Sequence, residues 1–155
     1  MKLLLISEVY RPENFIINDV VDNLFIKYFE EVIIITRVPT YPKGILYEGF
    51  KNRFSCTRIK NVTIIRYPVF TNYNKYKFFK FLNLLWQPII TLILTLTIRF
   101  DKLFVYQTGS IYSYSLIPKL LLRDKLSVIW SQDLWPEVGY EFGFPKLKFV
   151  DFFLR

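Results

Sequence analysis

The residues with the greatest chemical potential lie in one octet, Trp130-Ser131-Gln132-Asp133-Leu134-Trp135-Pro136-Glu137. Two carboxylates, an amide and two indoles suit a sugar ring, whose C–H faces pack on indole while its hydroxyls hydrogen-bond to acids and amides. A carboxylate such as Asp133 can also receive a proton from an acceptor hydroxyl. The competing assignment puts Trp130 and Trp135 in the core and makes Asp133 a helix cap. The octet follows an apolar run (Leu126, Val128, Ile129), which places it at the carboxyl end of a buried strand, where open α/β sheets bind ligands.

Other capable groups also follow apolar runs. Glu8, Tyr10, Arg11, Glu13 and Asn14 come after the first, and Glu13 or Asn14 can cap a helix whose amino end favours a phosphate. After the second come Pro39-Thr40-Tyr41-Pro42-Lys43-Gly44 and Tyr47-Glu48-Gly49. That stretch is either a Pro-Lys-Gly turn or a loop offering a lysine and tyrosines to an anionic or sugar ligand. Gln107-Thr108-Gly109-Ser110 follows the fourth run, with an ordinary helix cap as the simpler assignment. The dinucleotide fingerprint G-x-G-x-x-G is absent. The absence of histidine removes imidazole catalysis and histidine-based zinc sites, and the single Cys56 has no partner for an internal disulfide. No metal ligand set and no cofactor is expected.

These groups need a scaffold, and the apolar patterning supplies one. Leu3–Ile6, Val32–Ile35, Val62–Ile65, Leu103–Tyr106 and Val128–Trp130 read as strands, mostly continuous in hydrophobicity, as in strands buried on both faces. Between the first two, Ile17, Val20, Val21, Leu24, Phe25 and Tyr28 mark one side of a helix. Further helices are expected through Leu116 and Leu120, opened by Gly109 or Ser110, and after Pro145 through Leu147, Val150 and Leu154. The alternation predicts one α/β domain with an open parallel sheet and helices on both faces. Met1–Ile6 is too short for a signal peptide and reads as the first strand. Arg155 falls inside a helical pattern, so the architecture is expected to continue beyond it.

Residues 78–100 carry a separate signal. Phe81–Ile98 is a run of 18 uncharged residues in which Asn83, Gln87, Thr91 and Thr95 recur every fourth position and Pro88 interrupts. Lys75, Lys77 and Lys80 precede it, and Arg99 and Lys102 follow. A buried core helix is the leading assignment, an in-plane helix touching a membrane the second, and a membrane span the third. The net charge of +8 favours anionic partners; without a basic run or a recognisable motif, nucleic acid ranks last.

Four motifs together support a family resemblance. Tyr10-Arg11-Pro12-Glu13-Asn14-Phe15 with Asn18-Asp19 resembles the first loop and helix of a branch of glycosyltransferase family 4. Pro39–Gly44 with Tyr47-Glu48-Gly49 resembles its second loop, Phe104-Val105-Tyr106-Gln107 its fourth strand, and the octet from Trp130 to Glu137 its most specific signature. This branch builds bacterial capsule, colanic acid and O-antigen sugars and includes fucosamine-transferase-like members. The resemblance implies that residues 1–155 form the Rossmann-like, amino-terminal, acceptor-side half of a GT-B fold, with the carboxyl-terminal donor domain missing. It implies retaining transfer of a hexosyl or N-acetyl-aminosugar from a nucleotide-sugar donor to a polyprenyl-diphosphate-linked acceptor, without an essential metal. The expected location is the inner face of the plasma membrane.

By its position at a strand end Asp133 is the candidate catalytic or acceptor-orienting group, and the resemblance implies that Glu13, Asn18, Asp19, Tyr41, Lys43, Gly44, Gln107, Gln132, Trp135 and Glu137 line the acceptor side. Lys75, Lys77, Lys80 and Trp86 are the expected membrane contacts. The amino-terminal histidine of many family members has no counterpart in this chain. Lacking the donor half, the isolated chain is expected to be inactive, and the alternative is a non-catalytic, membrane-associated binding subunit of a split glycosyltransferase.

Overall fold

The computed structural model describes residues 1–108 and 126–132. The elements in chain order are β1 (Lys2–Ser7), α1 (Ile16–Val20), a π-helical turn (Val21–Phe25), α2 (Ile26–Tyr28), β2 (Glu31–Arg37), β3 (Ser55–Ile59), β4 (Val62–Tyr67), α3 (Lys77–Thr97), β5 (Lys102–Gln107) and β6 (Ser127–Ser131). The strands form one sheet in the order β3-β4-β2-β1-β5-β6. The expected helices through Leu116 and after Pro145 lie outside the described residues.

All five expected strands are present, each extended by one or two residues at one or both ends. They are parallel to their neighbours, with Leu3 opposite Val32 and Leu5 opposite Ile34 across β1 and β2. The sheet is nonetheless mixed, not purely parallel, because β3 runs antiparallel to β4. The sequence Ser-Cys-Thr-Arg-Ile of β3 has no apolar run, since the strand sits at the sheet edge and every residue in it is exposed. Lys60, with φ 55°, turns the chain from β3 into β4.

The pleat divides the core in two. Leu3, Leu5, Val32 and Ile34 face one side with Ile17, Val21 and Phe25 of the first helical segment. Leu4, Ile6, Ile33 and Ile35 face the other side, where Ile90 of α3 meets them. Helices therefore cover both faces, as α/β layering requires. The first helical segment does not bury all of its expected face: Ile17, Val21 and Phe25 are inside, but Leu24 and Tyr28 are exposed. The wider π turn keeps residues four apart on one line and rotates Leu24 and Tyr28 outward.

α3 is inverted relative to an ordinary amphipathic helix. Its buried residues are Asn83, Ile90, Thr91 and Thr95, with Thr91 fully enclosed. The polar stripe thus faces the sheet and is satisfied there. Asn83 Oδ1 accepts from the Phe70 backbone N–H and its Nδ2 donates to the Phe70 carbonyl, both at 2.8 Å. The hydroxyls of Thr91 and Thr95 donate to the Gln87 and Thr91 carbonyls at 2.7 Å, so these side chains present their methyls to the core.

This inversion predicts an unusual stability pattern. Asn83→Ala leaves both Phe70 backbone groups unpaired and should cost about 2 kcal/mol. Ile89→Ser, on the exposed side, should cost under about 0.5 kcal/mol. Urea denaturation checks the ranking, and a larger loss for Ile89→Ser would contradict the placement of α3.

Candidate functional site at the strand ends

Chain order along the sheet reverses between β1 and β5: β2 and β4 lie to one side of β1, and β5 and β6 to the other. Loops leaving neighbouring strands at such a point diverge, and open α/β sheets bind ligands there. The loop after β1 contains Glu8 to Phe15, the loop after β2 begins at Val38, and β5 and β6 deliver Gln107 and Gln132. All four arrive at the same edge of the sheet.

A buried cation organises the first two loops. Arg37, the last residue of β2, has a side chain only 2% exposed. Its Nε donates to the Glu8 carbonyl at 3.1 Å and lies 3.5 Å from the Glu8 carboxylate. Its Nη1 donates to Thr40 Oγ1 and to the Tyr73 hydroxyl, the latter at 3.1 Å. Its Nη2 is 3.7 Å from Glu13 Oε1. Burial alone would lower the Arg37 pKa, but Glu8, Tyr73 and Glu13 together hold it above the ordinary arginine range.

Glu13 completes the arrangement by joining the loops. Its side chain is 1% exposed, and Oε1 accepts the backbone N–H groups of Thr40 and Tyr41 at 2.9 and 2.6 Å. A carboxylate accepting two amides makes charge-assisted bonds of roughly 1.5–3 kcal/mol each. Asn18 Nδ2 donates to the Glu13 carbonyl at 2.7 Å and fixes the loop from the helix side. Glu13 and Asn18, expected to line the acceptor side, are both buried, where they tie the two loops and the first helix together.

The remaining expected contacts divide by exposure. Asp19, Tyr41 and Lys43 are exposed, and Tyr41 packs edge-on against Phe15 at 5.2 Å between ring centres. Gly44 is buried with φ +73°, and an added Cβ would meet the Tyr73 ring at 3.2 Å, so its role is to let the loop close on Tyr73. Gln107 is half-buried, and its carbonyl accepts the backbone N–H of exposed Gln132 at 2.9 Å. Asp133, Trp135 and Glu137 lie outside the described residues. Trp130 stacks edge-on with Tyr106 and Phe104, which supports a packing role for that indole.

Lys75, Lys77 and Lys80 are exposed before and within the first turn of α3. Trp86 faces inward: its indole N–H donates to the Pro68 carbonyl at 2.7 Å, and its ring packs on the core. Among the described residues no three His, Cys, Asp or Glu side chains converge to hold a metal ion.

Arg37, Tyr73 and Arg66 are the residues that sequence reasoning missed, and Thr40, quoted within its loop, was not singled out. Arg66, buried at the end of β4, donates to the Arg11 carbonyl at 2.9 Å and lies 5.3 Å from the Phe50 ring centre. Burial lowers its pKa, opposed by Tyr10 and Glu13. Tyr10 is raised, chiefly by burial and then by the Asp22 carboxylate. The neutral Tyr10 phenol therefore supports the fold below pH 10.0, a contribution lost as pH rises through the folded value. A charged residue closing a run as apolar as Val32–Ile35 was the available signal for Arg37.

Removing the carboxylate should be costly. Glu13→Ala strands two amides and leaves Arg37 undercompensated, for an expected loss of about 3–5 kcal/mol. Glu13→Gln keeps an acceptor and should lose roughly 1–2 kcal/mol. Chemical denaturation distinguishes them, and a loss below about 0.5 kcal/mol for Glu13→Ala would contradict the assignment. Comparison of the chain with protein-family models, curated proteins and solved structures finds no match.

Proposed function

We propose that this chain is the acceptor-side, Rossmann-like half of a GT-B glycosyltransferase of family 4, in bacterial envelope polysaccharide synthesis. The observation that carries the reading is convergence. Tyr10–Phe15, Pro39–Gly44, Gln107 and Gln132 belong to separate motifs of the resemblance, and all lie at the carboxyl edge of one sheet. Glu13 ties the first loop to the second, and a backbone bond ties Gln132 to Gln107. Such cross-links pre-organise a wall before any ligand arrives, which lowers the ordering cost of binding.

In this reading Tyr41 and Lys43 offer an aromatic edge and a cation to a sugar diphosphate, while Gln107 and Gln132 hydrogen-bond sugar hydroxyls. Asp133 takes the acceptor proton or orients the acceptor. The nucleotide-sugar is held by a second domain, and the acceptor is a polyprenyl-diphosphate-linked sugar presented at the inner membrane surface. The isolated chain then binds acceptor without turning over donor.

Titrating isotope-labelled chain with a short-chain polyprenyl-diphosphate-linked N-acetylhexosamine tests this by amide chemical shifts. The expected shifts cluster at Tyr41, Lys43, Gln107 and Gln132, and Asp133→Asn weakens binding about tenfold by removing a charged hydrogen-bond partner. No shift at these four positions, or equal binding by Asp133→Asn, would count against the site.

A further inference from the structure

We infer that the outward face of α3 is a docking surface for an anionic lipid bilayer, met with the helix lying flat in the headgroup plane. The inference goes beyond sugar transfer and holds whether or not the chain serves a transferase.

Phe78, Phe81, Leu85, Ile89, Ile93 and Leu96 are 49–65% exposed on a single helix. At 3.6 residues per turn they occupy one stripe, roughly 120° wide and about 27 Å long. Scattered exposed apolar side chains need no explanation, but a continuous stripe of six marks an interaction surface. The helix also turns Asn83, Thr91 and Thr95 inward, so the exposed stripe is the apolar side of a helix already packed on a sheet.

Charge selects the occupant. No acidic residue occurs between Lys75 and Phe100, while Lys75, Lys77, Lys80 and Arg99 are all exposed at the two ends of the stripe. An apolar stripe with cations at its ends complements acyl chains beneath anionic headgroups. A second copy of this chain would bring like-charged ends together and is disfavoured.

Packing selects the orientation. A helix of 21 residues is long enough to cross a bilayer. Crossing would tear Asn83 from Phe70 and Trp86 from Pro68 and expose the buried Thr91 and Thr95 to lipid. Lying flat keeps every one of these contacts. Trp86, expected from sequence to touch the membrane, is replaced in this role by the six stripe residues.

Co-sedimentation of the full chain with vesicles tests the inference. Binding is expected to mixed phosphatidylglycerol–phosphatidylcholine vesicles and to be at least about tenfold weaker to pure phosphatidylcholine. Leu85→Glu/Ile89→Glu should reduce it at least about 100-fold with the far-ultraviolet dichroism and melting temperature unchanged. If that variant melts early, Lys75→Gln/Lys77→Gln/Lys80→Gln decides, with an expected loss of about 100-fold. Undiminished binding by the variant that decides, or a soluble dimer that Ile89→Glu dissociates, would overturn the proposal. Fluorophores at positions 81, 89 and 96, in a Cys56→Ser background, should show equal quenching by brominated lipid; deepest quenching at 89 would indicate a span and contradict the flat orientation.

Discussion

A guanidinium withdrawn from water must be neutralised by its surroundings, and Arg37 imposes that condition on the strand ends. It stands at the last position of a strand whose Val32, Ile33, Ile34 and Ile35 supply the apolar core. Meeting its demand draws in Glu8 and Glu13 from the loop after β1, Thr40 from the loop after β2, and Tyr73 from the segment before α3. Segments far apart in sequence are thereby held to one point. Buried ion pairs are seldom a net source of stability compared with an apolar replacement, but breaking one is costly. Here the cluster fixes the shape of one edge of the sheet, and Glu13 does so most directly by capping two backbone amides.

The two faces of the sheet solve the burial problem differently. On one, the short helical segment around the π turn offers Ile17, Val21 and Phe25, in the usual way. On the other, α3 offers threonine methyls, an asparagine and the buried Ile90, with Trp86, Leu92 and Leu94 packed partly buried beside them, and leaves a second set of large apolar side chains outside. Such a helix is stable on the sheet because its buried polar groups are paired, Thr91 and Thr95 within the helix and Asn83 with the Phe70 backbone. Its outer surface is left with a separate task, which the basic residues at both ends help to define.

Much of the scaffold was legible in the sequence because continuous apolar runs have few alternatives to buried strands. The runs at Leu3, Val32, Val62, Leu103 and Val128 all became strands, and the strand ends were the right places to look for polar groups. β3 was invisible because an exposed edge strand needs no hydrophobic pattern. The four-residue spacing of Asn83, Gln87, Thr91 and Thr95 was visible, but not which way it faced. Periodicity gives a helix two faces and cannot say which meets the sheet when the polar groups can satisfy themselves. Glu13 and Asn18 stand out in the sequence as polar residues after an apolar strand, but their burial depends on tertiary partners that no local pattern encodes. Tyr73 had no local signal at all, since its partners are more than thirty residues away.

A buried carboxylate holds the second loop to the first, and amide hydrogen exchange at Thr40 and Tyr41 reads that link out residue by residue. Both amides donate to Glu13 Oε1 and neither belongs to a strand. Protection comparable to that of Ile34 and Ile35 in β2 is expected, with exchange requiring global opening. Exchange at the rate of an unprotected loop amide, while β2 remains protected, would contradict it.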